Sequence, residues 1–358
     1  MQKLISWIGR NILSKLKNIN LKEIIYFFLK MIKFPPLNSN LPPLSVRTMS
    51  NTTFDFPQEM SISPTSMTEL NETIPMQLEE TEYIEPRTLN SYEIIKTLGQ
   101  GSQGRVDLVK IKSTGQIVAL KVVYIKDQEI LNTVNKEIQA LEEASFPNCN
   151  LFVSCYYNHF YDAFNKSMLI EMEYIEGADL DVWAKRFRDR KSFIALYQNL
   201  IYLTIDLCKG LSYLHGKGLI HRDLKPANIL ITVNNEPKIV DLGVSCLISS
   251  CPSSAYNCCY GRAGTPIFLA PETISKSETY FSSDIWCLGG TLFRAATGQY
   301  AFEVNDANNV QAVMRTVLDT MPYLLQTSNL RLNQLVNSML TKVPENRPTI
   351  PDILAFLL

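Results

Sequence analysis

The sequence predicts an α+β fold in two lobes, a small sheet-rich lobe followed by a larger helical one. Three observations lead there. From Tyr92 onward, short β-branched runs alternate with turn signals, a single helical period interrupts them, and beyond Leu180 the apolar spacing is mostly helical. The chain has 358 residues, of which 46% are hydrophobic. That suffices for a packed domain of about 260 residues plus an extension.

The strand expectations, in order, are 93–98, 105–111 and 116–123, parted by turns at Gly99-Gln100-Gly101 and Ser113-Thr114-Gly115. Ile130, Val134, Ile138 and Leu141 then recur at helical spacing and predict a helix over 127–143. Two further strand-like runs follow at 151–157 and 168–174. Leu200, Leu203, Leu207, Leu211 and Leu214 set the period of a long helix after them.

The flanks are of different material. Residues 1–34 are apolar and basic, with Lys3, Arg10, Lys15, Lys17, Lys22, Lys30 and Lys33 against Glu23. Wound as helices, Ile5, Ile8, Ile12, Leu16 and Ile19 share one face, and Ile24, Ile25, Phe28 and Ile32 share another. Charges at Lys22, Glu23 and Lys30 break the run of roughly 18 apolar residues that a spanning helix needs. The pattern suits contact with a membrane surface through residues 1–33. Mitochondrial import, packing against the globular domain and a true start at Met49 are the other readings. Residues 35–91, rich in Pro, Ser and Thr and carrying Glu79, Glu80, Glu82 and Glu85, read as a disordered linker. A net charge of −1 gives no drive toward nucleic acid. The eight cysteines form no CxxC pair and no secretory leader is evident, so reduced thiols and a cytoplasmic protein, peripheral at a membrane if the N-terminus binds one, are expected.

The chemistry lies in four motifs. Gly99-Gln100-Gly101-Ser102-Gln103-Gly104-Arg105-Val106 is a glycine-rich turn between two expected strands, able to bring backbone N–H groups to phosphate oxygens. Alone, such a turn is more often only a hairpin. Val118-Ala119-Leu120-Lys121 places a lysine inside an apolar strand, where burial is costly without a partner. Sixteen residues on, Glu137 can supply that partner from the expected helix. His221-Arg222-Asp223-Leu224-Lys225-Pro226-Ala227-Asn228-Ile229-Leu230 follows, and thirteen residues after Asn228 comes Asp241-Leu242-Gly243. In this order the motifs resemble the eukaryotic-type protein kinases over residues 92–358. Ala270-Pro271-Glu272, Asp284-Ile285-Trp286 and Arg347 agree with the same family.

The resemblance implies a two-lobed kinase fold, with residues 92–174 in the first lobe and 175–358 in the second. It implies an enzyme moving the γ-phosphate of ATP to serine or threonine of protein substrates, with Mg2+, or Mn2+ as an alternative. Asp223 would orient the attacking hydroxyl and Lys225 would steady the γ-phosphate. Lys121, held by Glu137, would bind the α and β phosphates. Asn228 and Asp241 would hold the metal, whose hardness suits oxygen donors. Gly99, Gly101 and Gly104 would cradle phosphates, and Val106, Ala119 and Leu230 would complete the nucleotide site. Met172 would limit the back pocket, the backbone at Glu173 and Ile175 would meet adenine, and Asp179 would bond the ribose or simply begin a helix. Lys225 with Gly264-Thr265 is the serine/threonine arrangement, and Glu272 with Arg347 reads as architecture.

Some positions depart from the family. Leu242 stands where phenylalanine is usual, Ser102-Gln103 replaces an aromatic loop tip, and Ala227 leaves out an acid that basic-directed relatives carry. Cys246, Cys251, Cys258 and Cys259 crowd the segment between Asp241 and Glu272 in a spacing that fits no zinc pattern, while oxidation sensitivity stays open. Arg222 before the catalytic aspartate predicts control by phosphate on Ser253, Ser254, Ser249 or Ser250. A kinase-shaped binding module without catalysis would lack one of the charged groups, and all of them are present. A small-molecule phosphotransferase would lack the 264–272 platform.

Overall fold

A computed structural model describes residues 86–101, 104–250, 258–304, 306 and 308–358. The N-terminal segment, most of the linker, the Ser102-Gln103 tip and the serines at 253 and 254 fall outside the described residues.

Five strands build one antiparallel sheet in the order β1-β2-β3-β5-β4: β1 (Tyr92–Gln100), β2 (Gly104–Ile111), β3 (Ile117–Tyr124), β4 (Tyr156–Asp162) and β5 (Ser167–Met172). The two-residue period of β3 divides its side chains between faces. Val118, Leu120 and Val122 pack outward with Tyr92, Val109, Ile111 and Leu169 in a small core of their own. Ala119, Lys121 and Val123 therefore face the other way, into a cleft. Helix α1 (Gln128–Ser145) starts where Asp127 caps it, its carboxylate accepting from the Ile130 N–H at 2.8 Å. Val134, Ile138 and Leu141 form its buried stripe, and Glu137 shares that inward face.

The strand expected over 151–157 is displaced. Here β4 begins only at Tyr156, and residues before it turn: the Asn150 side chain accepts from the Phe152 N–H at 2.9 Å. The run then pairs with β9 (Pro237–Ile239), the Ser154 N–H donating to the Ile239 carbonyl at 2.9 Å. Similarly, β5 stops at Met172, so Glu173 and Tyr174 belong to a connecting segment.

The second lobe is built on helices α2 (Leu180–Asp189), α3 (Phe193–Gly216), α4 (Pro271–Lys276), α5 (Phe281–Thr297), α6 (Val310–Asp319), α7 (Leu330–Met339) and α8 (Ile350–Leu357). Leu196, Leu200, Leu203, Leu207, Leu211 and Leu214 of α3 are all buried, each contributing about 1.5–3 kcal/mol by leaving water. Helix α5 is buried almost all round, as its apolar run requires of a central helix. Short strands bind the loops to this scaffold: β6 (Gly177–Asp179) and β9 flank β8 (Ile229–Thr232). In addition, β7 (Leu219–Ile220) pairs with β10 (Cys246–Leu247), and β11 (Cys259–Tyr260) with β12 (Glu278–Thr279).

Two cysteines correct the expectation of reduced thiols: Cys246 bonds to Cys259, with Cα atoms 6.3 Å apart. This bond forms because β10 and β11 bring the two ends of the 246–259 loop together. Cys149 and Cys155 form a second close pair, with Cα atoms 5.4 Å apart. Cys208, Cys258 and Cys287 are free and buried, and Cys251 lies outside the described residues.

Candidate active site

Between the two lobes lies a cleft of about 910 Å³. Gly99, Gly101, Gly104, Val106, Ala119, Lys121, Glu137, Glu173, Ile175, Asp179, Lys225, Asn228, Leu230 and Asp241 all line it. Only Asp223, among the residues expected here, is not part of that lining. It joins them through side chains: its carboxylate meets the Lys225 ammonium at 2.7 Å and accepts from the Asn228 amide at 3.0 Å.

The roof is the β1–β2 turn. A Cβ on Gly104 would stand 1.9 Å from the Val122 carbonyl oxygen, so no other residue lets β2 lie this close to β3. Below it, the Lys121 ammonium contacts Glu137 at 2.5 Å and Asp241 at 3.3 Å. Burial disfavours the lysine charge, but the two carboxylates outweigh it and hold Lys121 protonated. Burial likewise raises the Glu137 carboxyl, and Lys121 draws it back toward the ionised form. The short contact is that of an ionic pair. For Asp241, burial pushes the carboxyl up, yet Lys121 and the Gly243 N–H hold it below the ordinary aspartate value. Its side chain is 47% exposed to the cleft, and its φ of 65° is a left-handed conformation that a non-glycine residue adopts at a cost.

Asp223 sits in a closed set of donors. The Thr265 N–H donates to one carboxylate oxygen at 2.7 Å, and the Thr265 hydroxyl accepts from Lys225 at 2.8 Å. Gly264 makes this approach feasible: its φ is 111°, and a Cβ there would fall 2.4 Å from the Arg222 carbonyl oxygen. Asn228 donates from its amide nitrogen to the Asp223 carbonyl and carboxylate, which leaves its side-chain oxygen as the acceptor.

What fixes this loop is a residue whose part in it sequence reasoning missed. Asp284, fully buried near the start of α5, accepts from the N–H groups of His221 and Arg222 at 2.9 Å each, and from the His215 ring at 2.9 Å. Burial would raise its carboxyl, but these donors hold it below the usual aspartate range. Its signal in the sequence was an acid opening an otherwise apolar helix. Thr291, about two turns further along the same face of α5, donates to the Leu224 carbonyl at 3.1 Å.

At the hinge, the Glu173 N–H donates to the Cys155 carbonyl at 2.8 Å, and the Glu173 carboxylate pairs with Lys238 at 2.6 Å. The Ile175 N–H has no acceptor among the described residues. Asp179 caps α2, its carboxylate accepting from the Val182 N–H at 2.9 Å, while also bordering the cleft. Leu242 is buried, so the leucine keeps an apolar contact at that position. Away from the cleft, Arg347 and Glu272 form a two-pronged pair with both contacts at 2.7 Å.

The family model for the protein kinase domain matches residues 92–356. The probable serine/threonine-protein kinase nek3 of Dictyostelium discoideum is 33% identical over 74% of this chain, which spans 23% of that protein. Mitogen-activated protein kinase kinase 2 of Arabidopsis thaliana is 31% identical, with 75% of this chain and 72% of that one covered. An Aurora kinase of Debaryomyces hansenii is 32% identical over 75% of this chain and 61% of its own length. With the glycine-rich roof, the Lys121–Glu137 pair, the Asp223 loop and Asp241 gathered at one cleft, the chain belongs to the protein kinase family.

Proposed function

We propose that this chain transfers the γ-phosphate of ATP to serine and threonine hydroxyls of proteins, with Asp223 as the group that orients the attacking hydroxyl. The observation that carries this reading is the Asp223–Lys225–Thr265 cluster. One carboxylate oxygen of Asp223 is held by the Thr265 N–H, and the other faces Lys225, so the side chain is fixed in direction. Phosphoryl transfer asks mainly for positioning and charge neutralisation, and a fixed anion beside a fixed cation supplies both. Lys121 binds phosphate oxygens while Glu137 holds it extended. The backbone of Glu173 and Ile175 meets the adenine edge, in keeping with the Ile175 N–H that finds no acceptor among the described residues.

The donor set suits a hard cation. The half-open Asp241 carboxylate and the side-chain oxygen of Asn228 are oxygen ligands at one cleft, which fits Mg2+. When bound, such an ion neutralises charge on the transferred phosphoryl group. Residues 1–33 remain a proposed contact with a membrane surface, supported by their basic amphipathic pattern, with the protein otherwise cytoplasmic. A fusion of residues 1–40 to a fluorescent protein tests that placement. It should pellet with anionic vesicles, and a wholly diffuse fusion contradicts it.

The test of the activity is phosphoamino-acid analysis after incubating the full chain with radiolabelled ATP, Mg2+ and a mixed protein substrate. Label on phosphoserine and phosphothreonine is expected. Label confined to phosphotyrosine, or to small molecules, overturns the reading.

A further inference from the structure

Beside the hinge lies a second pocket, of about 590 Å³, that the catalytic reading does not use. Its floor is aromatic. Trp183 and Phe187, one turn apart on α2, stand with ring centroids 4.8 Å apart, and the Trp183 N–H donates to Asn235 at 3.0 Å. Its rim is basic. Lys96, Arg186 and Arg190 are exposed around it, and none has an ion-pair partner among the described residues; Glu176 is the one acid on the rim. Arg188, on the same helix, is by contrast taken up by Asp181 at 3.1 Å. A concave aromatic surface ringed by three cations and one anion favours an acidic peptide with an apolar side chain.

The path of the chain supplies such a peptide. Residues just before β1 cross the outer face of the sheet. The Leu89 N–H donates to Asp162, which pairs with Ser167 at the turn end of β4 and β5. Two residues earlier, Arg87 donates twice to Glu171, at 2.6 and 2.7 Å, next to the hinge end of β5. Followed backward, the chain therefore runs toward the hinge. Tyr174, three residues beyond Glu171, is a wall of the pocket. Immediately upstream of Pro86 the sequence reads Glu80-Thr81-Glu82-Tyr83-Ile84-Glu85, three acids around a Tyr-Ile pair. Six residues span about 20 Å when extended.

We propose that residues 80–85 dock in this pocket, with their carboxylates among Lys96, Arg186 and Arg190 and Tyr83 or Ile84 on the aromatic floor. Being tethered two residues from a fixed arginine, the segment acts at high effective concentration, so weak contacts suffice. The pocket shares Lys96, Tyr174, Gly177 and Ala178 with the nucleotide cleft. The docked segment thus borders the cleft mouth.

Hydrogen exchange of the full chain, read by mass spectrometry over residues 80–85, tests this. At low salt the segment should exchange on the order of tenfold more slowly than a free chain, the sum of three exposed ion pairs. That protection should vanish at high salt, where exposed charges are screened. Arg186→Glu with Arg190→Glu should abolish it, as should Glu82→Arg with Glu85→Arg. Combining both pairs should restore it, a recovery that general unfolding does not produce. Exchange at the free-chain rate in the wild type overturns the proposal, as does protection indifferent to reversal at Arg186 and Arg190. So does a freely exchanging segment beside a pocket that is protected by added oligoglutamate, since the surface then serves an acidic partner.

Discussion

Two buried glutamates each hold a cation in this molecule, and they do so in opposite ways. Glu272 grips Arg347 with both oxygens while the Ser283 hydroxyl donates to one of them at 2.6 Å. The remaining guanidinium protons go to the carbonyls of Ser282, Thr341 and Lys342, and the ring of Trp286 lies 5.1 Å from the guanidinium carbon. The Arg347 side chain is fully buried. Glu137 instead meets Lys121 through a single contact, and the lysine is 22% exposed to a large cleft and shared with Asp241. The saturated pair can do nothing but hold α4, α5 and the 341–347 turn together. The unsaturated pair keeps an ammonium oriented with donors to spare, as a phosphate-binding group needs. Saturation separates architecture from chemistry here, although both pairs join residues distant in sequence.

The largest expected effect breaks the saturated pair. Arg347→Ala leaves Glu272 buried without its counter-charge and should lower stability by about 3–5 kcal/mol. Chemical denaturation measures that loss, and the protein that stays folded should keep its specific activity. A close second is Lys121→Met, which should reverse the pattern: phosphotransfer falls by about 10²–10³, while the denaturation midpoint moves little because Glu137 can turn toward the open cleft. If the two variants lose stability and activity in the same proportion, the distinction between the pairs is wrong. The smallest effect sharpens the comparison at Asp179, which both caps α2 and borders the cleft. Asp179→Ala should cost about 1 kcal/mol as a lost cap. A rise in KM for ATP beyond that would add a contact to the ribose, whereas an unchanged KM would leave capping as its whole role.

Much of the site was legible because its residues are close in sequence or ordered along it. His221 to Leu230 is one continuous stretch, and Lys121 and Glu137 lie on a strand and a helix whose periods show which face each occupies. The parts that stayed hidden depend on partners far along the chain. Asp284 reaches His221 and Arg222 across 63 and 62 residues, and nothing local reveals that a helix-opening acid holds a loop. The strand at β4 was misplaced for a related reason. Leu151 to Cys155 has strand-like composition, but its backbone is claimed by Ile239 and by the Asn150 side chain. Composition cannot register a competing partner. The cysteine pairs were missed likewise, since Cys246 and Cys259 meet only once β7 and β12 have placed their strands. For Asp179 the two sequence readings were both partly visible, because a helix start and a cleft edge coincide there.

Asp223, held between Thr265 and Lys225, is the oriented group of the proposed phosphotransfer site. The direct measurement is the initial rate of label transfer from ATP by the wild type and by Asp223→Asn, at equal folded concentration and saturating Mg2+. Asparagine keeps the size of the side chain and can still accept from Thr265, but it removes the charge beside Lys225. The rate should fall by about 10²–10³ with the denaturation midpoint nearly unchanged. Equal rates in the two proteins would contradict the assignment.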